Sequence, residues 1–522
     1  MNNNPSKKFD LFFLLLLILV SGYFRFINLA QNPGIYNDEG TLLNISINLH
    51  NGRAEYLGIL GSWLLAARMP VIPWLLSLSY SFFEPSLLVL RTLSASCGVL
   101  SAALLFLFLR KISDKQISYL RYLAPVIFAL HPKFVLFNRI GFGYNFLIPL
   151  TILVFWFVWS YIQSQKNYWL IFASILVGIG TLIELAYIAC VVLLAIWVIL
   201  FAPRRFFVTI LVALSPLLIY FLISFALFGE SFLFDWQTTF DRGTSNSLLL
   251  QFASTLVKTS YYLIYEISFL IGIVGCMNLQ LRKFSIATFL GITLPLLVIT
   301  RTFSPFMQSF YYLLPYTPFV SIGISGFIYK ITEGIVKFSN DFCQTTIFQI
   351  LPDRLRTKFK LLVFSWITIV MMIIPATFIV DGLNTQVRQS FTTSFDHLFI
   401  DIQEFYQVTN YLSQTLRKTE TVIASPAIAW AINANTTDYQ ISIAVNEQPT
   451  IHFPNGIPKD RMRFSSDMDN AAYVIIDSIL RSWKDNQIPN IEEWVDQIET
   501  EWIPVFQTKS ILVYRNPNLL EK

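Results

Sequence analysis

From Phe9 to Val380 the apolar residues of this chain come in blocks, separated by short polar stretches; beyond Asp381 the pattern changes. A block of roughly 20 apolar residues crosses a hydrocarbon core about 30 Å thick as a helix. Eleven spans are read, at about 10–29, 87–109, 120–137, 144–162, 168–183, 185–201, 206–228, 258–280, 284–300, 310–329 and 360–380. Pro70 to Phe83 is apolar but short, with Pro70 and Pro73 at its start, and reads as an interfacial or re-entrant helix. The first span is too long for the apolar core of a signal peptide. Phe24, Arg25 and Phe26 follow it where a cleavage site would need small residues, so it reads as a retained span.

The tail has the pattern of a small α/β domain. Phe395–Leu416 and Ile491–Glu501 carry helical spacing, and Thr421–Ala424, Ile441–Ala444, Tyr473–Ile476 and Ser510–Tyr514 read as strands. Pro449, Pro454, Asn455, Gly456 and Pro458 mark turns. The expected architecture is a polytopic α-helical membrane protein, with a transmembrane domain over 1–380 and an α/β domain over 381–522. The first outer loop spans about 30–86.

Composition agrees: 55% of the 522 residues are hydrophobic and 13% charged, about half the charge of an ordinary soluble domain. The distribution of that charge fixes orientation. Lys7 and Lys8, Arg110 with Lys111, Lys115 and Arg121, Lys166, Arg204 with Arg205, Arg282 with Lys283, and the cluster from Lys330 to Lys360 all fall on one side. Cytoplasmic loops are enriched in Lys and Arg, so that side is inside. The expected location is the cell (inner) membrane, multi-pass, with the N-terminus cytoplasmic and the C-terminal domain outside. The four cysteines form no disulfide framework, and no nucleic-acid partner is expected.

Other ionisable groups gather at the outer ends. Asp38, Glu39, Glu55 and Arg68 lie in the first outer loop; His131, Lys133, Asn138, Arg139 and Asn145 lie around the third outer turn. Glu184 stands between the fifth and sixth spans, Glu266 with Tyr261, Tyr262 and Tyr265 near the end of the eighth, and Arg301 before the tenth. Each also has a plain structural role open to it: snorkelling for Arg139, a helix end for His131, ion pairing for Glu266, and helix capping for Asp38. Asp38 stands out because it lies about ten residues past the first span, near headgroup depth, with Glu39 next to it. A carboxylate there can take a proton from an acceptor hydroxyl while basic side chains hold a lipid phosphate.

Tyr36-Asn37-Asp38-Glu39-Gly40, directly after the first span, resembles the Asp-Glu signature of GT-C glycosyltransferases. The closest branch is the protein-O-mannosyltransferase and aminoarabinose-transferase group (glycosyltransferase family 39-like). Pro70 and Pro73, Arg91, Arg139 with Asn145, and Tyr311-Tyr312-Leu313-Leu314-Pro315 continue the resemblance over roughly the first 330 residues. It implies an inverting hexosyl or pentosyl transferase that moves a sugar from a polyprenyl-phosphate donor to a hydroxyl acceptor (lipid, glycan or protein) at the outer face of the bilayer. On that basis Asp38 is the general base, and Glu39 positions the acceptor or helps hold a metal. Arg139, Arg68 and Arg301 bind the donor phosphate. Tyr36, Asn138, Asn145, Glu184, Tyr311 and Tyr312 line the pocket. No cofactor is fixed, and a divalent metal ion stays open.

Three positions depart from the family pattern: Arg68-Met69-Pro70 replaces His-Pro-Pro, Glu184 replaces a lysine, and Phe310-Tyr311 replaces Arg-Tyr. Leu43, Ile45, Ile47 and Leu49 alternate with polar residues, a strand pattern, where the resemblance implies a helix. A transporter or flippase of lipid-linked sugars is the alternative, marked by repeats and broken mid-membrane helices. A catalytically idle scaffold whose tail binds a partner is the third reading.

Overall fold

The computed structural model describes residues 5–61, 68–112, 118–241, 248–302, 310–343, 399–448, 450, 453, 456–485 and 490–519. Helix α1 (Pro5–Phe26) leads into a long connection to α4, which holds β1 (Ile35–Tyr36), α2 (Asn37–His50), the β2–β3 hairpin (Glu55–Tyr56, Ile59–Leu60) and α3 (Val71–Ser79). The membrane helices α4 (Leu87–Ile112), α5 (Leu120–Leu130), α6 (Pro132–Arg139), α7 (Tyr144–Ser164), α8 (Tyr168–Ile183), α9 (Ile188–Phe201) and α10 (Phe206–Phe228) follow. Then come α11 (Glu230–Asp241), α12 (Leu248–Tyr265), α13 (Ile267–Cys276), α14 (Arg282–Thr302), α15 (Phe310–Leu313) and α16 (Thr317–Cys343). Five described helices are long and apolar enough to cross a bilayer, or seven if each of two bent pairs is one span. The span expected at 360–380 lies outside the described residues.

The two bends have local causes. His131 takes an extended conformation because Pro132, at the first position of α6, disfavours a helical predecessor; α5 and α6 meet at 58°. Glu266 is likewise non-helical, and the chain turns by 98° there. The two breaks are joined by an ion pair between Lys133 and Glu266. His131 is a helix-end residue stacked on Phe134.

Residues 37–50 are helical despite their alternating pattern. The helix is enclosed on several sides, so its polar positions are buried as well and find partners in the loop. Asn48 Nδ2 donates to Asn44 Oδ1 and to the Glu55 carbonyl, and Asn44 Oδ1 accepts from the Leu57 amide. Helix α3 falls where an interfacial or re-entrant helix is expected: Ile72 and Leu76 face inward while Trp74 and Leu78 stay exposed.

The C-terminal domain begins with β4 (Phe399–Ile400) and the helix α17 (Ile402–Thr415), capped by Asp401. It continues through β5 (Thr421–Ile423), α18 (Pro426–Ala429), β6 (Asn435–Thr437) and α19 (Tyr439–Val445). β7 (Ala471–Ile476), α20 (Ser478–Asp485), α21 (Ile491–Glu501), β8 (Ile503–Gln507) and β9 (Leu512–Arg515) complete it. The sheet runs β6-β5-β7-β9-β8, with β5 parallel to β6 and β7, and β9 antiparallel to β7 and β8. The expected strand at Ile441–Ala444 is helix α19. Asp438 caps its start through the Gln440 amide, and every residue of the helix is buried, so alternation says nothing about period.

The C-terminal domain is fastened to the segment between α1 and α4. β1 pairs with β4, Tyr36 opposite Phe399. Arg463 holds Glu55 and donates its backbone amide to the Gly58 carbonyl. Arg461 donates to the Leu60 carbonyl and makes a two-pronged pair with Asp235 of α11, at 2.8 and 3.0 Å.

Candidate functional site

The Asp-Glu pair starts α2, and its two carboxylates point to different surroundings, as adjacent helical positions must. Glu39 is fully buried. Its Oε1 accepts from Arg91 Nε at 2.8 Å and from the Gly141 amide at 2.7 Å. Its Oε2 accepts from Arg91 Nη2 at 2.8 Å and from the Tyr36 amide at 3.0 Å. Arg91 spends its remaining donors on the carbonyls of Leu29, Pro33 and Gly34. Glu39 is therefore an anchor that fixes the loop ahead of Asp38. Both oxygens, expected to position the acceptor or help hold a metal, are bonded within the fold.

Asp38 instead forms an ion pair with Arg68, both partly exposed. The Arg68 guanidinium also faces Glu184, Tyr144 and Tyr311. Glu184, buried at the turn after α8, accepts from the Tyr144 hydroxyl. It sits so close to the backbone of residue 143 that a Cβ there would lie 2.3 Å from its Oε1, which is why this position is glycine. Burial pushes the Glu184 carboxyl up to about 7; Arg68 pulls it down and Asp38 pushes it up again. Tyr311 stacks with Phe142 at 5.0 Å, Tyr144 lies 5.3 Å from Tyr311, and Tyr312 lies 4.3 Å from Tyr311. Tyr36 meets Phe142 at 5.2 Å from the other side. Tyr56 bridges to the C-terminal domain: its hydroxyl is 3.3 Å from the Thr41 hydroxyl, and its phenol faces Asp38, Arg68 and Asp438.

The fold thus gathers Asp38, Arg68, Glu184, Tyr36, Tyr311 and Tyr312, and adds Tyr144 and Tyr56, which sequence reasoning missed. Other expected site residues are used elsewhere. Arg139 is buried and donates to the carbonyls of Phe24 and Asn32, at 2.9 and 2.8 Å, clamping the end of α1. Asn138 accepts from Arg25 Nε at 3.0 Å and donates to Asn145 Oδ1 at 2.8 Å. Asn145 donates to the carbonyls of Phe137 and Ile140. These groups brace the α6–α7 turn and the end of α1, because buried side-chain amides and guanidinium groups must find partners. The pocket and phosphate-binding roles expected of them would have to be played from these bonded positions. The Arg301 side chain lies outside the described residues, as do those of Tyr261 and Tyr265.

Among the described residues no group of three or more His, Cys, Asp or Glu side chains could hold a metal ion. At Asp38 the neighbouring charge is a guanidinium, and Glu39 is fully committed, so this donor set does not fit a divalent cation.

A family model described as dolichyl-phosphate-mannose-protein mannosyltransferase matches residues 67–228. Among solved structures, ArnT from Cupriavidus metallidurans bound to undecaprenyl phosphate is similar over 97% of this chain and 98% of its own, with a TM-score of 0.56 at 12% identity. The oligosaccharyltransferase AglB from Archaeoglobus fulgidus, in complex with an inhibitory peptide and a dolichol-phosphate, is similar over 98% of this chain and 74% of its own, with a TM-score of 0.54 at 13% identity. No curated protein matches the chain in sequence. The bent-helix bundle, the loop that carries Asp38 and the C-terminal sheet domain together have the fold of these solved structures, the GT-C fold that the resemblance implies.

Proposed function

We propose that the protein transfers a sugar from a polyprenyl-phosphate donor to a hydroxyl acceptor at the extracytoplasmic face of the membrane. The observation that carries this reading is the Asp38–Arg68 pair, set at the start of α2 just beyond the first span and walled by tyrosines. A carboxylate and a guanidinium side by side suit a displacement at an anomeric carbon. Arg68 offers a planar fork of donors to the leaving phosphate. Asp38 accepts the proton of the acceptor hydroxyl as the new C–O bond forms and the bond to phosphate breaks, releasing polyprenyl phosphate. Attack opposite the leaving group inverts the anomeric centre. Glu39 contributes by holding the loop in place.

The two broken helix pairs favour a second reading, movement of a lipid-linked sugar across the bilayer. The polar cluster at Asp38 supports transfer instead, since it lies at one outer end of the bundle. The test is to supply the full chain, reconstituted in liposomes, with a panel of polyprenyl-phosphate sugars and to follow release of polyprenyl phosphate. Release with at least one donor is expected. Donor translocation without release would favour the transporter.

A further inference from the structure

Arg68 does not belong to Asp38 alone. It faces two carboxyl groups, Asp38 and Glu184, which also face one another. The other groups that face Glu184 are uncharged phenols: Tyr144, which donates to it, and Tyr312. Two ionised carboxylates and one guanidinium would leave this cluster with one net negative charge. A phosphodiester donor adds another, in a place where Glu184 is buried and solvent screens poorly. Arg91 is neutralised by its pair with Glu39, and the Arg139 fork donates to the carbonyls of Phe24 and Asn32, so neither is among the charges that face Glu184.

We infer that the donor phosphate binds with uptake of one proton by Glu184, so that Arg68 leaves a shared pair and turns to the incoming anion. Glu184 is in this account a positioning residue: it acts through Arg68. The inference rests on the reading of Arg68 as the phosphate contact under Proposed function. The geometry supplies what such a coupling needs. Glu184 is shut away from solvent, it shares a guanidinium with the proposed base, and the Tyr144 hydroxyl can hold either protonation state, donating to the carboxylate or accepting from the acid. Burial already brings the carboxyl to about 7, so one proton is available at modest cost near neutral pH.

The test uses the full chain in lipid nanodiscs and the methyl diester of undecaprenyl phosphate, whose single negative charge does not titrate near neutral pH. Dissociation constants are measured from about pH 6 to about pH 8.5 for the wild type, E184Q and E184D. Proton exchange on binding is read by calorimetry in buffers of different ionisation enthalpy. For the wild type the dissociation constant should rise about tenfold per pH unit above about pH 7, with uptake of close to one proton. E184D should keep a slope and E184Q should lose it, taking up no proton. The wild-type proton uptake needs no variant, so a poorly folding E184Q leaves the test intact. Equal slopes and equal proton exchange in wild type and E184Q would overturn the coupling. Failure of every form to bind the diester at any pH would overturn the functional reading beneath it.

Discussion

The side-chain oxygen of Asn37 accepts a hydrogen bond from the backbone amide of Ala427 at 3.3 Å, so the residue before Asp38 is tied to the C-terminal domain. Nearby, Gly40 and Pro426 meet backbone to backbone: a Cβ on residue 40 would lie 1.9 Å from the Pro426 carbonyl oxygen. The C-terminal domain thereby packs on the start of α2, at the residues on either side of Asp38 and Glu39.

G40A should wedge α2 away from α18, since neither partner is a flexible side chain. Sugar transfer should fall at least about tenfold, as small displacements of reacting groups do. Hydrogen exchange at residues 37–42 and 426–429 should rise together. Unchanged exchange and activity would show that the two domains act separately.

The Glu39–Arg91 pair is fully buried. R91M leaves a buried carboxylate without its partner and should cost about 3–5 kcal/mol of stability. Thermal unfolding of the purified protein in detergent checks this. A variant that unfolds at the wild-type temperature but lacks activity would contradict the anchor assignment and reopen a direct role in chemistry.

Asp438 is buried at the end of β6, where burial pushes its carboxyl up to about 7; the Gln440 amide pulls it down and Asp477 pushes it up. Its native pKa lies above its unfolded value, so the protonated form contributes stability that is full below the ordinary carboxylate range. That contribution is lost as pH rises through about 7. D438N, which stays neutral, should flatten this decline and unfold at a higher temperature than the wild type near pH 8. Parallel stability–pH curves for the two proteins between about pH 5 and pH 8 would refute the assignment.

Much of this was legible in the amino-acid sequence. Long apolar blocks announce membrane helices without reference to their neighbours, and five described helices, or seven with each bent pair as one span, are long and apolar enough to cross a bilayer. Period failed where both faces are buried, as at Leu43–Leu49 and Ile441–Ala444, because alternation reports burial on one side only. At the site, the structure brings Asp38, Arg68, Glu184, Tyr311 and Tyr312 together, while Arg139, Asn138 and Asn145 turn inward. A polar residue near a span's end can face the lumen or brace the turn beneath it, and only the tertiary packing decides. Arg25, which holds Asn138 and the Ala129 carbonyl, gave no separate signal because it stood at the end of an apolar run.

The central claim is that Asp38 takes the acceptor's proton, and D38N tests it most directly, because the amide keeps the shape and loses the base. Polyprenyl phosphate release by reconstituted D38N should fall by about 100-fold or more, with the variant inserted, monodisperse and still able to bind undecaprenyl phosphate. Release at the wild-type rate by a folded D38N would contradict the account.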